Sequence, residues 1–342
     1  MATSTPSRRL PGDWEQHRAT VVAWPGRPSV WGPNLAQGRD ETAHLIRSIA
    51  RTEDVLIAVD PWHTDTLPAD LRSHPRVLPL HLPLDDCWAR DIAPMFVLDP
   101  QPIAVDFGFN AWGGKFSPYD NDNALGARLT HALEMNYEHA DLVLEGGSIT
   151  TDGAGTAIIV EPTVVNPNRN PGLSRSEVEE ALRDTLGLTH VIWLPYGLLD
   201  DTDTDGHVDN VAVFVDPTTV LAQAPPSRHH PDAARLRANL AILEQARTAD
   251  GRQLTVATVR PLPASRLDPA RPSSYINIYP CTGQVLVPTV GDVKDDDEVG
   301  SLLTSLFPTR TISFTPADAI AYGGGGPHCM TMQIPTTKET AP

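Results

Sequence analysis

No apolar run in this sequence approaches the roughly 18 residues of a membrane-spanning helix, so a helical membrane protein is excluded. The opening stretch MATSTPSRRLPGDWEQH has no apolar core, and a secretory signal is not expected. Cysteine is scarce: Cys87, Cys281 and Cys329 cannot all pair, so free thiols in a reducing, cytoplasmic setting are expected. Neither a Cys-x-x-Cys nor a His-x3-His pair occurs, which removes the common frameworks for structural zinc. Positive charge is short as well. With 26 Lys and Arg against 43 Asp and Glu, the net charge of −17 argues against nucleic acid and favours the approach of small cations.

What the chain does contain is many short elements. Its 342 residues are 40% hydrophobic, enough for a sizeable core. Neither a linker nor a low-complexity block divides it, and 33 prolines are scattered along its length. Strand-like runs recur from TVVAWP at Thr20 to CMTMQIP at Cys329. Helices are expected to begin near Arg39, Asp122, Ser174, Pro231 and Asp295. The third is the best marked, because Ser174 and Glu177 form a capping box ahead of Val178, Leu182 and Leu186 on one face. The later helices recur at intervals of roughly 50 to 65 residues, each interval holding about three strands. That is the mark of one α/β unit used several times around a centre.

The run DTDTDGHVDN, from Asp201 to Asn210, opens like a calcium-binding EF-hand loop. Its twelfth position, where a bidentate glutamate is required, is Ala212, and both flanks are strand-like rather than helical. The calcium reading fails on both counts. What remains is His207 and Asp209 at i and i+2, expected to share one side of an entering strand.

Four further stretches carry chemistry-bearing residues. YGGGGPHCMTMQIP holds four glycines from Gly323 to Gly326, but no lysine follows them, so it is not a phosphate loop. Alternation from Cys329 places His328 on the opposite side, which makes His328 a poor base for that thiol. Cys329 is either a nucleophile with a distant partner or a small buried hydrophobe. LDDCWARDIAPMFV sets Asp85, Asp86, Arg90 and Asp91 around Trp88. LVLEGGSIT ends an apolar strand on Glu145, an acid costly to bury unless it meets a cation or donor. FGFNAWGGKF puts Trp112 in a glycine-flanked loop. One cysteine, one histidine and three acids, each at a strand end beside glycine or tryptophan, do not suit acyl transfer, whose oxyanion would be repelled. Several carboxylates do suit a planar guanidinium, which two acids can grip in forks.

At this point the chain resembles the agmatine deiminases and bacterial peptidylarginine deiminases of the guanidino-modifying (pentein) superfamily. The resemblance runs from Pro11 to Pro335 through Trp88–Asp91 (W-x-R-D), FNAWGG at Phe109, LEGGSI at Leu144, NRNP at Asn168, IWLP at Ile192, DTDGHVDN at Asp203 and GGG..HC at Gly323. It implies one catalytic domain over residues 1–342, with its core at about 11–335, folded as a five-bladed α/β propeller of ββαβ units. It further implies Cys329 as nucleophile, His207 as acid/base, Asp91 and Asp209 as guanidinium clamp, and Glu145 orienting the histidine or holding the cation. Trp88, Asp85, Trp112, Asp203 and Gly323 would line the substrate site. The implied reaction converts agmatine to N-carbamoylputrescine and ammonia through a cysteine-linked thiouronium, with no metal and no organic cofactor. The alternatives are a deiminase for another guanidino compound and an amidinotransferase. The partner is a small cationic guanidino substrate, not nucleic acid or membrane, and a homo-oligomer is left open. Gly326, Pro327 and Thr202 depart from the family pattern. No arginine among the motif residues is placed to receive a substrate α-carboxylate, so agmatine is expected to be preferred to free arginine.

Overall fold

The computed structural model describes residues 8–336 except Pro269, Pro272 and Asp292. Its strands are short because turns punctuate the chain, and no single strand buries enough apolar area alone. They are grouped in five sheets, four of three strands and one of four. The first holds β1 (His17–Ala23), β2 (Asp54–Val59) and β3 (Val77–His81), all parallel. The next holds β4 (Met95–Asp99), β5 (Gln101–Gly108) and β6 (Asn136–Val143). Then come β7 (Ile149–Thr151), β8 (Thr156–Val160) and β9 (His190–Leu194), followed by β10 (Ala212–Phe214), β11 (Thr219–Gln223) and β12 (Thr255–Val259). The last three are β13 (Tyr279–Cys281), β14 (Gln284–Thr289) and β15 (Thr311–Pro316).

In each of the last four sheets the first pair is antiparallel and the second parallel. A parallel pair needs a crossover, and helices supply it. The crossover helices are Leu35–Ile49, Asp120–Asn123 with Leu125–Ala132, Arg175–Leu186, Ala233–Leu243 and Val293–Leu306. The final strand, β16 (Thr331–Pro335), pairs antiparallel with β1. It takes in the first sheet the place that β4, β7, β10 and β13 take in the others, so the chain closes on itself as five ββαβ blades.

The five expected helices are all present. The third carries its capping box, buries Val178, Leu182 and Leu186, and ends on Gly187 in the left-handed conformation, which spares a side chain the αL strain. Two strands escape the sequence pattern. β3 carries Pro79, which a strand tolerates at the edge of its sheet, where β3 lies. β7 has three residues, too few to show alternation. The strand expected at Leu142 begins at Asn136. His207 and Asp209 stand not in a strand but at the head of and within a 3-10 turn, Val208–Asn210, so the expected alternation does not govern them.

Candidate active site

The stretch just ahead of the first strand of each unit delivers one part of the site. Asp91 lies ahead of β4, Glu145 ahead of β7, and His207 with Asp209 ahead of β10. Asn277 lies ahead of β13 and Cys329 ahead of β16. Repetition of one unit thus aims five loops at one centre.

Of these residues, Asp91, His207 and Cys329 border a cavity of about 590 Å³, counting its open mouth, while Glu145, Asp209 and Asn277 are buried against them. Trp88, Asp91, Trp112, Asp203, His207, Gly323 and Cys329 line it. Asp85 does not. Its carboxylate accepts from Asn121 N at 2.8 Å and Asn121 Nδ2 at 3.1 Å, while the neighbouring Asp86 reaches the cavity wall. Burial pushes the Asp86 carboxyl up to about 6, although Arg27 Nη1 lies 3.6 Å away.

Asp91 is fixed by two donors, Trp112 Nε1 to Oδ2 and Gly147 N to Oδ1, both at 2.9 Å. Trp112 reaches it from a loop in which Ala111 (φ 56°) and Trp112 (φ 54°) are left-handed. Such residues cost about 1–3 kcal/mol each and persist only where surroundings impose them. Here the edge-on packing of Trp112 against Phe109 and Phe116 does so.

Gly147 is the hub. A Cβ there would stand 2.4 Å from His207 Nδ1, 3.0 Å from Asp91 Oδ1 and 3.1 Å from Asp209 Oδ2. Only glycine lets these three side chains approach one backbone. The run from Gly323 serves close approach in the same way: a Cβ on Gly325 would meet the Trp88 ring at 2.4 Å, and one on Gly326 would meet Asn277 Oδ1 at 2.4 Å. Pro327 costs no hydrogen bond in this turn, whose amide donors are Met330 N to Gly326 O and Thr331 N to His328 O.

His207 Nδ1 is 3.9 Å from Asp91 Oδ2, and its Nε2 is 3.8 Å from Glu145 Oε2. Burial works to lower its pKa, but Asp91, Glu145 and Asp209 together push it up to about 9. Glu145 meets the cation it required. Arg169 Nε donates to Glu145 Oε1 at 2.6 Å, and its Nη1 pairs with Asp205 Oδ2 at 2.8 Å. Cys329 Sγ receives a hydrogen bond from Asn277 Nδ2 at 3.1 Å and lies 3.4 Å from Asp209 Oδ2. Burial, with Asp209 and Asp91 nearby, pushes the thiol well above its ordinary value. Asp209 Oδ1, Glu145 Oε2 and His207 Nε2 are buried with no hydrogen-bond partner among the described residues. Orphaned polar atoms of this kind are costly, and their gathering at one cavity prepares it for a polar ligand.

The aspartates of the run from Asp201 hold protein donors. Asp201 accepts from Thr204 and from His207 N, shaping the loop. Asp205 pairs with Lys115 and Arg169, and Asp203 pairs with Arg271. Arg271 lines the same cavity, so an arginine does stand in its wall, supplied by a stretch in which no motif stood out. Four residues of the site went unassigned in the sequence: Asn277, Arg169, Arg271 and His328. Asn277 could have been found from the repeat, since it fills the fifth unit's equivalent position.

A cysteine, a histidine and carboxylates gather at the centre of a five-bladed α/β propeller, and the family and relatives that share this arrangement make it the site of a hydrolase acting on carbon–nitrogen bonds of amidines. The model of the Porphyromonas-type peptidyl-arginine deiminase family matches residues 9–335, and the chain belongs to that family. It is 35% identical to the agmatine deiminase of Pseudomonas aeruginosa (strain LESB58), covering 98% of this chain and 99% of the relative. The solved agmatine deiminase of Enterococcus faecalis superposes with a TM-score of 0.90 at 27% identity, over 98% of this chain and 99% of that one. The DDAH of Pseudomonas aeruginosa shares the fold at a TM-score of 0.52 and 12% identity, over 93% and 100% of the two chains.

Proposed function

We propose that this protein hydrolyses the guanidino group of agmatine, giving N-carbamoylputrescine and ammonia. The observation that carries the reading is the set of orphaned buried atoms, Asp209 Oδ1, Glu145 Oε2 and His207 Nε2, beside a cysteine thiol. A guanidinium gripped by Asp91 and Asp209 offers N–H donors to the free carboxylate oxygens, Asp209 Oδ1 and Glu145 Oε2, and exposes its central carbon to Sγ. The name carried by relatives such as that of Pseudomonas aeruginosa supports agmatine as the compound.

The charges order the steps. In the free site the thiol keeps its proton, because it is buried next to carboxylates. A bound guanidinium neutralises the same Asp91 and Asp209, so loss of the thiol proton to solvent becomes favourable. The Cys329 thiolate adds to the guanidino carbon. His207, held as imidazolium by its acids, gives a proton to one amino nitrogen, which leaves as ammonia. The resulting thiouronium keeps the alkyl nitrogen and one amino group. Neutral His207 then takes a proton from water, and the hydroxide adds to the same carbon. As the C–S bond breaks, the hydroxyl proton returns to the departing sulfur, leaving the ureido product and the Cys329 thiol. The free, buried cysteines support a reducing cytoplasmic location.

The test is stoichiometric. Ammonia and a ureido product should form one to one from agmatine, and Cys329→Ala should abolish turnover while substrate still binds. Cys87→Ala and Cys281→Ala should stay active. Ureido product without ammonia, turnover by Cys329→Ala, or an amidino group passed to an added amine would refute the proposal.

A further inference from the structure

His328 adjoins the nucleophile, and the reaction scheme leaves it without a role. Its side chain is almost wholly buried, 2% exposed as a residue. Nδ1 lies 2.9 Å from Asp209 Oδ2, and Nε2 lies 3.0 Å from Asp13 Oδ2. A neutral imidazole has one N–H, whereas two carboxylate acceptors call for two, so the ring is doubly protonated. Asp209 Oδ2 is the same atom that Cys329 Sγ approaches at 3.4 Å, while Asp209 Oδ1 is left without a partner. The sequence alternation that set His328 aside fails because β16 begins only at Thr331, and residues 328–330 form a turn.

We infer that His328 is a positioning residue: an imidazolium held between Asp13 and Asp209, it occupies Asp209 Oδ2 and leaves Oδ1 free for the guanidinium. The inference rests on Asp209 belonging to the guanidinium clamp. Asp13 acts one step further out. Its Oδ1 accepts from Gln333 Nε2 at 2.5 Å and lies 3.9 Å from Arg90 Nη1. Every charged group facing His328 has a defined sense. Asp13 and Asp209 favour the imidazolium; burial and the Arg90 charge oppose it, and the balance raises its pKa. Burial works to raise the pKa of Asp209, but His328, His207 and the Cys329 thiol together keep it lowered. His17 acts on Asp13 and stabilises its charged form, as do Arg90 and His328. The imidazolium therefore supplies a positive charge beside a thiol that must become a thiolate next to a carboxylate.

Two variants and two readouts test this. His328→Asn removes the charge but keeps one donor. Asp13→Asn removes the outer carboxylate without touching the clamp. The first readout is steady-state kinetics with agmatine: KM should rise by about tenfold or more in His328→Asn, and in the same direction but less in Asp13→Asn. The second is the pH dependence of Cys329 alkylation by iodoacetamide, followed by mass spectrometry. Loss of a positive charge near the thiol should move that alkaline limb up by about one pH unit. The alkylation readout does not depend on deiminase activity, so a wild-type protein inactive on guanidino compounds would sink the clamp and leave the charge relation measurable. A lowered melting temperature with KM and the alkylation limb unchanged would show a purely structural histidine and overturn the inference. Should His328→Asn fail to fold, Asp13→Asn decides by the same criteria.

Discussion

Arg169 donates from Nε to Glu145 Oε1 at 2.6 Å, with both side chains almost entirely shut off from solvent. The pair solves a problem visible in LVLEGG, where an acid follows an apolar strand. Arg169 spends one nitrogen on Glu145 and others on Asp205 and the Thr204 carbonyl, so one side chain ties the loop ahead of β7 to the loop that carries His207. Replacing it by methionine strands a buried carboxylate. The expected loss is about 3–5 kcal/mol of unfolding free energy, with a fall in kcat as His207 loses its fixed neighbour. Chemical denaturation and steady-state kinetics check both; unchanged stability would show that Glu145 is neutral or solvated.

Gly147→Ala places a methyl group 2.4 Å from His207 Nδ1. No flexible side-chain end can yield there, because the ring is packed among carboxylates. The variant should fold, since the strain is local, yet lose kcat by at least a hundredfold, as misplacement by about 1 Å commonly costs. Near-normal kcat would mean that the three loops can part without consequence.

Asp203 and Arg271 both have side chains 35% exposed, whereas Asp91 and Asp209 are buried. The ion pair therefore lies toward the mouth, where a substrate tail would emerge. An amine tail can use Asp203 only by displacing Arg271, and a carboxylate tail can use Arg271 only by displacing Asp203. Exposed pairs of this kind contribute up to about 1 kcal/mol. Arg271→Ala should thus lower KM for agmatine by about fivefold and leave a neutral alkylguanidine unaffected. Free arginine should remain the poorer substrate in both proteins. Comparison of kcat/KM for the three compounds checks this; a neutral alkylguanidine beating agmatine in the wild type would keep the deiminase and discard agmatine.

The raised His207 pKa has a defined sign. A histidine whose folded value is about 9, against 6.5 in a model peptide, contributes stability in full below pH 6.5. That contribution is lost as pH rises through 9. Since the imidazolium is the form that protonates the departing amino nitrogen, kcat/KM should also fall on an alkaline limb near pH 9. Melting temperatures and a pH–rate profile for wild type and His207→Gln test it. An alkaline limb near pH 6.5 would show that the carboxylates do not hold the proton.

The sequence by itself determined the repeat and most of its elements, because strand and helix periodicities are local and the Ser174 capping box needs only four residues. It also singled out Cys329, His207, Asp91, Glu145 and Asp209 as candidates, because glycine or tryptophan stands near each, and the structure brings the five together. Only the tertiary structure decided what each acid does. Asp85 turns to Asn121 and Asp86 to the cavity wall, although they are adjacent and alike. Asn277 and Arg271 reach the site from segments that nothing local marks, and the NRNP stretch that holds Arg169 does not say which acid it meets. His328 is turned to Asp13 and Asp209 rather than to the thiol, as expected of a poor base for it, but strand alternation is not the reason, because the residue stands in a turn. Periodicity is set by residues a few places apart, whereas a partner for a buried charge is set by whichever loop the closing of the propeller brings within about 3 Å.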